Sequence, residues 1–126
     1  MPNHIELGKK GEQLAIDYLQ SRGFGILDCN FRFKRAEVDI IASYKGVTSF
    51  IEVKTRNGKG FHHAENAIGK TKQELFFQAA QEYCRNNPLP GSIQFDVMVI
   101  EILPYGKDLY YFPDAFFPVQ DHNPSI

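Results

Sequence analysis

The chain has 126 residues, 43% of them hydrophobic, with 14 Lys/Arg against 15 Asp/Glu and a net charge of −1. That length suits one domain around one core, and folding at this size buries roughly two-thirds of the unfolded surface, so no disulfide is required. The ordinary hydrophobic content argues against disorder, no apolar run approaches the ~20 residues of a membrane helix, and Met1-Pro2-Asn3-His4 lacks the basic and apolar regions of a signal peptide, so a cytoplasmic protein is expected.

Residues 4–22 read as a helix. Leu7, Gly11, Leu14, Ala15, Tyr18 and Leu19 fall on one arc at the helical period, with Glu6, Lys9, Lys10, Gln13, Asp17 and Gln20 opposite. Glu12 lies at the border of the apolar arc. It either reaches solvent or faces inward, where a carboxylate needs a partner. Gly23 ends the helix. Residues 24–33 form a first strand. Its tail, Asn30 to Arg35, interleaves basic and aromatic residues that suit either a phosphate contact or the core.

Two strands over 37–54 follow, rich in Val, Ile, Phe and Thr, with a tight turn at Lys45-Gly46. Pairing outward from that turn puts Asp39 opposite Glu52, with Lys54 on the face of Glu52. Two opposed carboxylates repel, so a cation between them is expected. Residues 55–69 read as a loop, long for a compact domain. Its adjacent His62 and His63 lack the spacing of a paired zinc site. Thr71-Lys72-Gln73-Glu74 is a capping-box pattern. It predicts a second helix to about Arg85, with Leu75, Phe76, Ala79, Ala80 and Tyr83 as its apolar stripe. Lys72 projects onto that stripe in the first turn, where a cation opposes the helix dipole and needs an anion, a carboxylate or a phosphate. Residues 93–103 form the most apolar strand, suited to a position covered on both faces. Residues 108–112 make a last strand, and 113–126 a tail. The reading is α/β: one mixed central sheet flanked by helices in the order α-β-β-β-α-β-β, with a domain over 1–119 and a C-terminal tail over 120–126.

Charge is unevenly spread. Residues 31–72 carry nine Lys/Arg against four acids. A basic block in an acidic chain points to an anionic partner, a polyanion among them, or to a solvated face. Eleven Phe and six Tyr predict an aromatic core, and Cys29 and Cys84, far apart, read as free buried thiols.

Hard oxygen ligands from Asp39, Glu52 and an inward Glu12 suit Mg²⁺ or Mn²⁺, which keep waters for a substrate phosphate. A lysine beside them can act on a water or on transition-state charge. That is phosphodiester hydrolysis chemistry. The plainer alternative is a solvated sheet face with a Glu–Lys neighbour pair.

Gly11-Glu12 with Ala15 and Leu19, Gly23-Phe24, Asn30-Phe31-Arg32, Glu37-Val38-Asp39-Ile40-Ile41-Ala42, Phe50-Ile51-Glu52-Val53-Lys54-Thr55-Arg56, Ala67-Ile68 with Lys72, and Phe95-Asp96-Val97 stand in order. This series resembles the YraN-like family of small bacterial proteins to about Phe116, with Ala36 where the family pattern has Gly. The family is similar to the restriction-endonuclease-like superfamily, with its PD-(D/E)xK site, and to archaeal Holliday-junction resolvases. The resemblance implies a restriction-endonuclease-like domain with Asp39, Glu52, Lys54 and Glu12 as catalytic residues. The expected activity is Mg²⁺-dependent (or Mn²⁺-dependent) cleavage of DNA, with branched DNA as the resolvase-like substrate. Asp39, Glu52 and the Val53 carbonyl are the expected metal ligands, and Arg32, Arg56, Lys59 and Lys72 the expected phosphate contacts. A homodimer is compatible with this reading and a membrane partner is not. The alternatives are a non-catalytic nucleic-acid-binding module that keeps the fold, and an adaptor whose buried charges only pair with one another.

Overall fold

The structure, a computed structural model, describes residues 3–57 and 68–117. Helix α1 spans His4–Ser21, followed by β1 (Gly25–Phe33), β2 (Ala36–Tyr44), β3 (Val47–Asn57), α2 (Lys70–Asn86), β4 (Ser92–Leu103) and β5 (Gly106–Phe116). The strands form one sheet in the order β1-β2-β3-β4-β5. Its β3–β4 pair is parallel and the rest are antiparallel. The expected α-β-β-β-α-β-β order is the observed one.

The two helices cover opposite faces, as two apolar clusters show. On one face Phe76, Ala79, Ala80 and Tyr83 of α2 pack with Val38, Ile41, Phe50, Phe95, Val97 and Val99. On the other, Ala15 and Leu19 of α1 pack with Ile40, Ala42, Ile51, Met98 and Ile100. The run Val97–Ile100 therefore alternates between two cores, which is why it reads as continuously apolar. Phe31 and Phe33 pack against the α2-side cluster, so the aromatic half of the basic-aromatic segment belongs to the core.

Asn3 caps α1, its Oδ1 accepting the Glu6 N–H at 2.8 Å. Gly23, at φ +93°, lets the chain leave the helix. The two-residue turn is also as expected: Lys45 and Gly46 have φ of +49° and +80°, the pair of left-handed residues that a tight hairpin needs.

Four details differ from the sequence reading. Helix α2 starts two residues earlier, with Gly69 as its N-cap in place of Thr71 and no side-chain cap bond. Thr71 is thus inside the helix and the capping box does not form. Strand β3 runs on through Thr55, Arg56 and Asn57, because β4 pairs with it along its whole length. Strand β5 continues to Phe116, with Pro113 tolerated on an edge strand where the β4–β5 register shifts. Buried Asp96 holds that irregular segment: its oxygens accept the Tyr111 hydroxyl and the Asp114 N–H. Finally, Cys29 and Cys84 are free but only partly buried. His62, His63 and the tail over 120–126 lie outside the described residues.

Candidate metal and nucleic-acid site

Strands β2 and β3 pair in the expected register from Tyr44↔Val47 to Ile40↔Ile51, and there the ladder ends. One step on, Asp39 and Glu52 are not a ladder pair. The Asp39 Oδ2 accepts the Val53 N–H at 2.8 Å, in place of a backbone carbonyl. On the other flank β1 pairs Cys29↔Ile40 and Phe31↔Val38, leaving Asn30 unpaired with φ +54°. Val38 and Ile40 belong to opposite faces although they are two residues apart. Strand alternation therefore breaks at Asp39. This irregularity turns the Asp39 side chain into the gap between β2 and β3. The N–H and C=O of one extended residue point the same way, so the Val53 carbonyl faces that gap too.

Glu52 sits on the α2 side and is 2% exposed. Its Oε2 accepts Lys72 Nζ at 2.7 Å and lies 3.4 Å from Lys54 Nζ. Its Oε1 is buried with no hydrogen-bond partner among the described residues. The structure thus brings together Asp39, Glu52, Lys54 and Lys72. Glu12 joins electrostatically: it is felt by Asp39 and itself feels Glu52 and Glu37.

The titration of these groups reports their crowding. Burial, then the neighbouring Glu52 charge, pushes the Asp39 carboxyl up to about 8, against the Val53 N–H that favours the anion. Burial also raises Glu12, opposed by a hydrogen bond from Asn30 and assisted by Glu37 and Glu52. Burial depresses Lys72, and the Glu52 hydrogen bond and charge more than offset it, so its ammonium is held on balance.

Glu12 reaches the sheet because Gly11 allows α1 to lie against β3. A Cβ at Gly11 would stand 1.8 Å from Thr55 Oγ1, so no larger residue fits without moving the helix.

The expected phosphate contacts are not equivalent. Arg32 has a 75% exposed side chain and pairs with Glu37 at 3.6 Å. Arg56 is exposed two residues beyond Lys54 on β3. Lys72 is bound to Glu52, so the anion it required is first a protein carboxylate. Lys59 lies outside the described residues. Two residues were missed by sequence reasoning. Asn30 sits opposite Asp39 and bonds Glu12. Glu37 lines a cavity of about 400 Å³ beside Asp39, bounded also by Arg35, Thr71, Lys72 and Leu75. Both stand inside strings already noted, Asn30-Phe31-Arg32 and Glu37-Val38-Asp39, yet neither has a spacing that marks it alone.

Among the described residues no three His, Cys, Asp or Glu side chains converge as a metal cage. The donors that fit a cation are two carboxylates and one carbonyl, with a buried carboxylate oxygen lacking a partner. That set suits a hard divalent cation that retains water, and suits Zn²⁺ poorly.

Fold and site together define a small mixed α/β protein with a carboxylate–lysine cluster where two inner strands part. The family described as "Uncharacterised protein family UPF0102" matches residues 11–100, and the chain belongs to it. This is the YraN family to which the motifs pointed. The chain is 35% identical over 117 residues to a UPF0102 protein of Flavobacterium psychrophilum, covering 93% of this chain and 98% of that one. It is 40% identical over 117 residues to one of Dictyoglomus thermophilum, covering 90% and 99%. A third, of Alkaliphilus oremlandii, is 33% identical over 114 residues, covering 88% and 97%. No helix among the described residues is long and apolar enough to cross a membrane.

Proposed function

We propose that the protein is a divalent-metal-dependent endonuclease of the restriction-endonuclease-like class, acting on DNA phosphodiester bonds and resolvase-like in its choice of branched DNA. One observation carries this reading: Glu52 is 2% exposed, shares its Oε2 between two lysines and leaves Oε1 without a hydrogen-bond partner among the described residues. Glu12, Asp39 and Glu52 act on one another electrostatically, Lys54 and Lys72 both lie at Glu52, and without a metal the burial of Asp39 beside Glu52 favours its protonated form. A divalent cation bound there would take the place of that proton.

Asp39, Glu52 and the Val53 carbonyl would hold the cation, with Glu12 binding it directly or through water. When bound, the cation supplies charge neutralisation at a phosphoryl oxygen and makes a water more acidic. The remaining work falls to this chain. Lys54, a third exposed, positions the attacking water or stabilises the charged transition state. Lys72 holds Glu52 in place. Arg32, Arg56, Lys59 and Lys72 offer charge to the backbone, which gives salt-dependent and sequence-independent affinity. Two free cysteines suit a reducing cytoplasm.

The test is nicking of linear, flapped and four-way DNA in Mg²⁺ and Mn²⁺, beside calorimetric titration of the metal alone. Cleavage and metal binding that both vanish in Asp39→Asn and Glu52→Gln are expected. DNA binding without cleavage by the wild type on every substrate would leave the non-catalytic binding module instead. Unchanged metal binding in both variants would sink the site assignment.

A further inference from the structure

The cavity beside Asp39 has walls of three kinds. Arg35, Thr71 and Lys72 bring cationic and hydroxyl groups, Leu75 and Phe76 bring hydrocarbon, and Glu37 and Asp39 bring carboxylates. At about 400 Å³ it falls in the range of small-molecule sites, roughly 300–1,000 Å³. It is roomier than a lone phosphate requires. Arg35 is exposed. Lys72 is 47% exposed along its side chain. An ammonium has three N–H donors, and Glu52 takes one of them at 2.7 Å. Both cations can therefore face a ligand in the cavity while the Glu52 pair stays intact.

We propose that this cavity seats one unstacked nucleotide, with its phosphate between Arg35, Thr71 and Lys72 and its base against Leu75 over Phe76. The inference rests on the nuclease reading and deepens it by naming what the site selects: DNA with an unpaired or terminal nucleotide beside the scissile bond. A base stacked in a duplex cannot enter such a cavity, and extrusion is easiest where the base is already unpaired. Glu37, which also lines the cavity, opposes a phosphate in the same space, as does Asp39 once it is ionised. A divalent cation on Asp39 offsets that repulsion. Nucleotide and cation are thus linked, each raising the affinity of the other by the same factor.

The experiment titrates the full chain by calorimetry with dAMP and with inorganic phosphate, each with and without Mg²⁺, and with Mg²⁺ alone. Wild type, Arg35→Ala, Leu75→Ala and Leu75→Met are compared. The expected result is dAMP binding at least ~10-fold tighter than phosphate, tighter still with Mg²⁺. Leu75→Ala removes most of that advantage and leaves phosphate binding intact. Arg35→Ala, on the surface, weakens both ligands. Leu75 also packs against the α2-side core, so Leu75→Met, which keeps the volume, serves as the folding control and retains dAMP binding. Equal affinity for dAMP and phosphate, or a dAMP advantage that survives Leu75→Ala, overturns the nucleotide seat. Mg²⁺ binding without dAMP binding overturns it too, and leaves the metal reading standing. Leu75-dependent dAMP binding without any Mg²⁺ binding upholds the seat and removes the metal reading. Absence of both removes both.

Discussion

Lys72 places its Nζ 2.7 Å from Glu52 Oε2, closer than Lys54 on the same strand as Glu52, at 3.4 Å. The helix α2 lysine is therefore the main countercharge of the most deeply buried acid in the site. Removing one partner of a buried pair strands the other charge, at about 3–5 kcal/mol for a fully buried pair. Lys72 is half in solvent and Lys54 remains nearby, so the discounted expectation for Lys72→Met is about 1–2 kcal/mol. Thermal melting of the metal-free protein should show that loss, and Mg²⁺ should restore it. With a competing cation gone, Lys72→Met should also bind Mg²⁺ more tightly than wild type. A variant that melts like wild type without metal would show that Glu52 does not depend on Lys72.

The Asp39 carboxyl sets a pH dependence. Its value rises from 3.8 to about 8, chiefly through burial and then through Glu52. The folded chain thus holds this proton more tightly than the unfolded chain. The contribution of Asp39 to stability is complete below the unfolded value and is lost as pH climbs from about 4 through about 8. Asn cannot ionise and can still accept the Val53 N–H. Asp39→Asn should therefore match wild type near pH 4 and melt higher at pH 8, by at least about 4 °C, the shift that one kcal/mol gives in a domain of this size. Because a metal needs the ionised carboxylate, Mg²⁺ affinity of the wild type should rise over the same window with release of a proton. Melting curves of the two proteins that stay parallel from pH 4 to pH 8 would contradict this.

Asn30 holds a left-handed backbone, φ +54°, opposite Asp39 and bonds Glu12. Two substitutions separate its backbone role from its amide. Asn30→Gly keeps the conformation and loses the side chain, so melting should barely change. Asn30→Ala adds strain of about 1–2 kcal/mol. If the amide positions Glu12 towards the carboxylate pair, both variants should bind Mn²⁺ about 10-fold more weakly, the lower end of what a lost outer hydrogen bond costs a metal site. Equal Mn²⁺ affinity in Asn30→Gly and wild type would confine Asn30 to the backbone.

Much of this was legible in the sequence because the relevant signals are local. Period-2 alternation and Lys45-Gly46 fixed the hairpin register down to Ile40↔Ile51, and the alternating cores explain the apolar β4. What escaped depends on contacts between elements. The break at Asp39 lies opposite the left-handed Asn30 on another strand, and regular alternation hides it. The capping box at Thr71 is a local preference that lost to a helix capped at Gly69 and starting at Lys70. The extensions of β3 and β5 follow from pairing with β4, which overrides Pro113 and the loop-like Thr55-Arg56-Asn57. Lys72 was recognised as needing an anion, but only the fold shows that Glu52, twenty residues earlier, supplies it.

Lys54 is the residue on which the proposed chemistry turns. It shares a face with Glu52, its side chain is 33% exposed, and the closer place on Glu52 Oε2 is already taken by Lys72. Neutralising Glu52 is therefore chiefly the task of Lys72, and the Lys54 ammonium remains available to a substrate. Lys54→Ala should leave melting and Mg²⁺ binding nearly as in wild type. DNA nicking should fall by at least ~100-fold, the scale for losing one electrostatic or acid–base group. Lys54→Arg should keep the charge and recover little activity, since the guanidinium is larger and does not give up a proton near neutral pH. Melting, metal titration and nicking on the same three proteins, in Mg²⁺ and in Mn²⁺, decide the matter. Full nicking by Lys54→Ala removes Lys54 from the reaction. A large loss of melting temperature in Lys54→Ala, with Lys72→Met near wild type, reverses the roles assigned to the two lysines.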